Sequence, residues 1–181
     1  MANSILTISG LPGSGTSTAG ALLRDHLGWS YVNAGQIFRE LAREAGLSLA
    51  EFGRRAEGDA SIDRALDARM VATARARQPI ILEGRVTGWM AQRSELPAVK
   101  VWLDAAAETR AERVGTRDGE AVAVALEHML ARQASEAQRY RQHHGIEIGD
   151  MSLYDLVIDT ALYPPEEVVR QIEARLKGDS P

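Results

Sequence analysis

Gly10-Leu11-Pro12-Gly13-Ser14-Gly15-Thr16-Ser17-Thr18 decides how the rest of the chain is read. It follows Ser4 to Ser9, where Ile5, Leu6 and Ile8 read as a short buried strand. It precedes Ala19, Leu22, Leu23 and Leu27, which recur at helical spacing until Gly28 supplies a C-terminal cap. Strand, glycine-rich loop and helix in that order form an anion site. The glycines let backbone N–H groups turn toward a ligand, and the helix N-terminus adds roughly half a positive charge there. Gly10 and Gly15 fit the Gly-x-x-x-x-Gly-Lys-[Ser/Thr] phosphate loop, and Ser17 falls where that pattern needs a hydroxyl for Mg²⁺. Thr16 stands where the pattern has lysine, so the loop keeps its backbone and hydroxyl chemistry but lacks its fixed charge.

Outward from the loop, strand-like and helix-like runs alternate. Trp29 to Val32 reads as a second strand, broken by Asn33-Ala34-Gly35. Three helical runs follow. The first places Ile37, Phe38, Leu41, Ala42 and Ala45 on one face; the second is a short helix opened by Ser48 and Glu51 in a capping box; the third spans Ser61 to Arg77. Ile80-Ile81-Leu82-Glu83-Gly84-Arg85 is a buried strand ending in an acid, a turn and a base, and Val99, Val101 and Leu103 form an alternating strand ending at Asp104. Helices are expected over Ala105 to Arg117 and Glu120 to Arg141, a last strand over Leu153 to Ile158, and a final helix after Pro164-Pro165. Five strands separated by helices imply one three-layer α/β/α domain around a mainly parallel sheet, with ligands at the carboxyl ends of the strands. The glycine loop, Glu83-Gly84-Arg85 and Asp104 each lie just beyond a strand and so share one crevice.

Composition sets outer bounds. The chain has 181 residues with 21 basic and 25 acidic side chains, a net charge of −4 that argues against broad nucleic-acid or acidic-membrane binding. Cysteine is absent, which excludes disulfides and cysteine–zinc sites. No apolar run reaches the roughly 18 residues of a membrane span and no cleavable leader is evident, so the cytosol is the expected compartment. A phosphate-transfer site is within reach of such a chain, because that chemistry rests on positioning and charge stabilisation by backbone donors, Mg²⁺ and arginine.

These blocks together resemble the archaeal-type cytidylate kinases, nucleoside monophosphate kinases of the P-loop class. The resemblance is carried by the loop and by Asn33-Ala34-Gly35-Gln36-Ile37-Phe38-Arg39. It continues through Leu82-Glu83-Gly84-Arg85 with Gly88-Trp89-Met90, Arg113 to Arg117, Arg132 to Arg139 with Tyr140, and Tyr154 to Thr160, and so runs nearly end to end. It implies transfer of the ATP γ-phosphate to CMP or dCMP with Mg²⁺. Gly10, Leu11, Pro12, Gly13, Ser14, Gly15, Thr16, Ser17 and Thr18 would hold the ATP phosphates. Ser17 would join the Mg²⁺ shell; Glu83 reads either as orienting the ion through water or as merely ending its strand. Arg39 and Arg85 would bind the acceptor phosphate beneath a helical flap at about 35–77. Arg113 and Arg117 would flank ATP in a short lid at about 113–141, where Arg132 and Arg139 would neutralise the transferring phosphoryl group. The partners implied are small-molecule nucleotides, and a monomer suffices.

The bare residues leave other readings open. Without the resemblance, Arg39 reads first as a solvated helix residue paired with Glu40 or Glu44, and the arginines between 110 and 141 as a charged helical face, with Arg110 or Arg141 as alternative participants. Asp104 reads as the cap of the following helix, and His143-His144 as surface residues. A kinase for adenylate or a non-nucleotide acceptor, and a catalytically weak nucleotide-binding protein, are the rival functions. Thr16 is the argument for the latter. Loss of one preorganised donor costs roughly 3 to 4 kcal/mol, against about 8 to 23 kcal/mol of total barrier lowering, so a missing lysine need not abolish catalysis. The only lysines, Lys100 and Lys177, are not expected near the loop, which leaves arginine as the replacement charge.

Overall fold

The computed structural model describes residues 4–178. Five strands form one parallel sheet: β1 (Ile5–Gly10), β2 (Ser30–Asn33), β3 (Ile80–Glu83), β4 (Ala98–Asp104) and β5 (Leu156–Asp159), in the order β2-β3-β1-β4-β5. β1 lies at the centre and every one of its residues is buried, which explains its unbroken apolar and small composition. Its alternation sorts the two faces. Leu6 and Ile8 point with Ile81, Val101 and Leu103 toward α1 (Thr16–Leu27) and α8 (Pro165–Lys177), whose Leu23, Val168, Val169 and Ile172 complete that core. Ile5 points with Ile80 and Leu82 to the opposite face, covered by α2 (Ala34–Glu44), α4 (Ala60–Ala76) and α5 (Thr87–Arg93) through Ile37, Met70, Ala74 and Met90.

The segment between β2 and β3 carries a small core of its own. Ala42, Phe52, Ala56 and Ile62 cluster where α2, α3 (Leu49–Gly58) and α4 meet, and Phe38 meets Phe52 edge-on with ring centroids 4.9 Å apart. This helical excursion is the expected flap. Its caps form as read: Ser48 and Glu51 close the capping box of α3, and Asn33 caps α2 through Gln36 N–H at 2.9 Å. The last two helices before β5, α6 (Ala107–Asp118) and α7 (Val122–His144), pack as a hairpin turned at Gly119, whose φ of 72° is left-handed.

Three expectations change. Helix α5, just after Arg85, was not anticipated from helical periodicity, because Gly88 and the segment's length of 7 residues mask it. It is anchored by Ser9 Oγ, which accepts from Gly88 N–H at 3.1 Å. β5 begins at Leu156 rather than Leu153, because the Asp155 carboxylate takes the Lys100 N–H at 2.7 Å and Tyr154 turns its ring against Trp102. Asp104 does not cap α6: Ala105 and Ala106 intervene, the cap position is Ala106, and no side chain bonds it.

Ile172 has no exposed surface and packs in the core shared with Val101, Leu103 and Ile158. Ile172→Ala is expected to lower unfolding free energy by about 2 to 5 kcal/mol. Leu162→Ala, at a residue 70% exposed, should change it by less than about 0.5 kcal/mol. Chemical denaturation of both variants measures the difference.

Candidate active site

The loop joins β1 to α1 at the carboxyl edge of the sheet. Gly13 (φ 82°) and Gly15 (φ 89°) adopt the left-handed conformation that turns the chain back on itself, and a Cβ at Gly13 would lie 2.6 Å from Arg110 O. Helix α1 starts with no acidic residue in its first turn and no side-chain cap. Its first amides, those of Thr16, Ser17 and Thr18, precede the bond from Ala19 N–H to Gly15 O at 3.0 Å, so the helix offers uncompensated donors to an anion. Ser14 Oγ is buried without a partner beside them.

Glu83, 5% exposed at the end of β3, organises the mouth of the crevice. Its Oε1 accepts from Thr16 Oγ1 at 2.7 Å and from Ser17 Oγ at 2.9 Å. Its Oε2 accepts from Tyr31 Oη at 2.6 Å and from Asn33 Nδ2. One carboxylate therefore ties the start of α1 to the end of β2 and the cap of α2. Burial and the neighbouring carboxylate raise the Tyr31 pKa, which keeps it a neutral donor. A buried carboxylate with two hydroxyls is an all-oxygen set that suits a hard cation such as Mg²⁺, which keeps much of its water and shares phosphate oxygens. No cluster of three or more His, Asp or Glu forms a self-sufficient metal cage among the described residues. The set thus fits an ion that arrives with a phosphate.

The position usually held by lysine is engaged in this network, because Thr16 donates to Glu83. Three guanidinium groups instead surround the loop from behind. Arg85 Nη1 donates to Gly10 O at 2.8 Å, Arg110 Nη1 to Pro12 O at 3.2 Å and Arg113 Nη1 to Gly13 O at 3.3 Å. Arg113 also donates to Thr160 Oγ1 and Thr160 O, both at 2.8 Å, and Thr160 Oγ1 donates on to Ser14 O at 3.0 Å. Lys100 lies away from the loop, 3.7 Å from Asp155.

Arg85 has a second grip. Its Nε donates to Glu136 Oε2 at 2.7 Å, and Arg132 Nε reaches Glu136 Oε1 at 2.8 Å. Burial pushes the Glu136 carboxyl up, but Arg85 and Arg132 outweigh it and hold it below the usual range. α7 is thereby clamped over the crevice. Arg139, one turn further on, faces Asp63 on α4 at 3.3 Å rather than the loop. A narrow cavity of about 30 Å³ opens between these helices, lined by Arg85, Thr87, Tyr140, Asp63, Asp67 and Met90 among others. Burial and Asp63 push the Asp67 carboxyl up to about 6, and burial pushes the Tyr140 phenol up to about 12.

The remaining candidates lie farther out. Arg39 is exposed and has no ion pair among the described residues, since Glu40 accepts from Gln36 and Glu44 pairs with Arg69. Arg117 lies in solvent, gripping its neighbour Asp118 with two bonds of 2.7 Å. Arg141 pairs with Glu147 at the surface. His143 and His144 are not free surface residues; they turn inward to Asp63 at 3.6 and 3.7 Å. Sequence reading alone missed the roles of Tyr31, Asn33, Asp63, Glu136 and Thr160 in this network. Asn33 and Thr160 carried a signal, each lying at or just beyond a strand's carboxyl end. Glu136 lies between Arg132 and Arg139 at helical spacing. Asp63 carried no signal.

Comparison with known proteins agrees with this geometry. The family model described as the cytidylate kinase-like family matches residues 5–162. The chain is 48% identical over 157 residues to the cytidylate kinase of Methanococcoides burtonii, covering 87% of each chain. It is 44% identical over 164 residues to that of Halobacterium salinarum, covering 91% of this chain and 84% of the relative. In fold it resembles a gluconokinase from Sinorhizobium meliloti, with a TM-score of 0.64 at 17% identity over 97% of this chain and 92% of that one. It also resembles the shikimate kinase from Acinetobacter baumannii, with a TM-score of 0.60 at 18% identity over 97% and 94%. A phosphate loop at the carboxyl edge of a β2-β3-β1-β4-β5 parallel sheet, together with a family match over most of its length, makes this chain a member of the cytidylate kinase-like family.

Proposed function

We propose that the protein transfers the γ-phosphate of ATP to the 5′-phosphate of CMP or dCMP. The observation that carries this reading is Arg85, which touches the loop carbonyl of Gly10 and lines the cavity under the flap, and so stands between a donor and an acceptor site. The relatives named cytidylate kinase supply the acceptor class.

In this reading the free amides of Gly15 to Thr18 cradle the donor phosphates, and Arg110 and Arg113 hold the loop in shape through its carbonyls. Arg85 exchanges Glu136 for the acceptor phosphate, and Arg39, unengaged at the flap edge, closes on the same phosphate. Arg132, 67% exposed on α7, swings in as the lid closes and shares the charge spread over the transferring group. Ser17 and, through water, Glu83 would hold Mg²⁺, which would supply positive charge to the donor phosphates. No covalent protein intermediate is required, because the acceptor oxygen attacks the γ-phosphorus in line. Closure excludes water and aligns the two nucleotides. Thr16 is accommodated because the charge falls to the guanidinium groups that bond the loop carbonyls. A monomer contains every residue invoked.

A coupled assay with ATP–Mg²⁺ should show turnover of CMP and dCMP with kcat/KM at least about tenfold above UMP and AMP, and none with shikimate or gluconate. ATP binding without turnover on any acceptor would make it a binding protein instead. Glu83→Gln keeps the shape but removes the charge shared by Thr16, Ser17, Tyr31 and Asn33. It should lower kcat by about 10² to 10³ and raise the Mg²⁺ concentration giving half-maximal rate, measured by Mg²⁺ titration at saturating ATP.

Asp67 also affects stability. Its folded pKa of about 6 lies above the 3.8 of a free aspartate, so its favourable contribution is complete below the unfolded value and lost as pH rises through 6. Asp67→Asn should therefore be more stable than the wild type by about 1 to 3 kcal/mol at pH 7.5, with the difference vanishing near pH 4, as urea denaturation at the two pH values will show.

A further inference from the structure

The cavity beside Arg85 ends on a group that phosphate transfer does not use. Asp63 is 3% exposed, yet its Oδ2 makes no hydrogen bond; Arg139 Nε, His143 Nδ1 and His144 Nε2 stand 3.3, 3.6 and 3.7 Å away. Arg139 Nε and His143 Nδ1 are likewise buried without hydrogen-bond partners. Three orphaned polar atoms at one spot are costly, because nearly all buried polar groups are satisfied. An ion cluster built only to pin α4 to α7 would close these distances. The gaps instead leave an acceptor-only oxygen without a hydrogen bond on a residue that lines the cavity.

The surroundings say what would fill it. Leu66, Met70 and Met90 give the cavity apolar walls, and Arg85 closes its other end next to the phosphate loop. Apolar walls with a few fixed polar groups are what a planar ring needs. At about 30 Å³ the cavity holds water and not a pyrimidine. A ring therefore enters by parting α4 from α7, and the contacts this breaks are the long ones to Asp63.

We propose that Asp63 reads the acceptor base, accepting a hydrogen bond from the 4-amino group of cytosine through the oxygen left free between α4 and α7. This rests on the nucleotide-kinase reading above and gives it a physical source of base selection. Cytosine presents an N–H₂ donor at C4, where uracil presents a carbonyl acceptor. A carboxylate attracts the first and repels the second. The cations of α7 supply counter-charge without occupying the free lone pair, and Asp67, one turn along α4, lines the same wall.

Asp63→Asn tests the assignment, because an amide of the same shape can donate to the uracil carbonyl. Steady-state kinetics with CMP and UMP should show kcat/KM for CMP falling by about 10- to 100-fold. UMP should be unchanged or improved, so that the CMP/UMP ratio falls at least about tenfold. Equal losses on both acceptors, with the ratio intact, would overturn the assignment and leave Asp63 a structural ion. The wild-type enzyme gives a second test that needs no variant. The 5′-monophosphate of pyrimidin-2-one riboside lacks only the 4-amino group and should show a kcat/KM at least about tenfold below CMP; parity would overturn the proposal. Absence of CMP turnover in the wild type overturns the kinase reading itself, whereas a wild-type preference for CMP that survives in Asp63→Asn overturns only the role of Asp63.

Discussion

A single buried carboxylate constrains most of the crevice. Glu83 accepts from Thr16, Ser17, Tyr31 and Asn33, and these donors come from the first turn of α1, from β2 and from the residue that caps α2. Taking such a group out of water is expensive unless every lone pair is met. The four donors are thus held at fixed places by the need to satisfy one acceptor. The phosphate loop, the central sheet and the root of the flap inherit their relative positions from that requirement. β3 delivers the carboxylate because its register beside β1 pairs Ile8 with Glu83, at the level where the loop begins.

The same network changes how the missing lysine is understood. A lysine at position 16 would bring a charge to the loop but would forfeit the threonine hydroxyl that Glu83 uses. In this chain the guanidinium groups nearest the loop come from α6 and from the turn after β3: Arg110, Arg113 and Arg85 each bond one of its carbonyls. Arginine suits this work, since its planar fork binds a carbonyl with one nitrogen and leaves others for a carboxylate or phosphate. Arg85 does so with Gly10 O on one nitrogen and the Glu136 carboxylate on another.

Periodicity and turn chemistry made the sheet, the loop and most helices legible in the sequence, because those signals are local. Asn33, Ser48 and Gly28 mark helix ends by backbone rules that need no tertiary context. α5 escaped because its seven residues are stabilised by Ser9, a residue far away in sequence, rather than by an amphipathic repeat. At the site, Glu83 and Arg85 were visible because strand ends point at the crevice. The inward turn of His143 and His144 was not, since it depends on which side of α7 meets Asp63 across a gap of about eighty residues. Pair formation between distant helices leaves no trace in spacing. The residue-by-residue resemblance named the arginines of the lid, but it could not show that Arg139 faces Asp63 on α4 while Arg132 shares Glu136 with Arg85.

α7 runs unbroken for 23 residues, a rod of about 34 Å at 1.5 Å per residue. It carries Glu136 against Arg85 at one level and Arg139, His143 and His144 against the flap at another. A stiff rod gripped at two points moves as a lever. Whatever parts it from α4 would also shift the stretch that bears Arg132. In the kinase reading proposed above, such gearing would couple the flap to the lid.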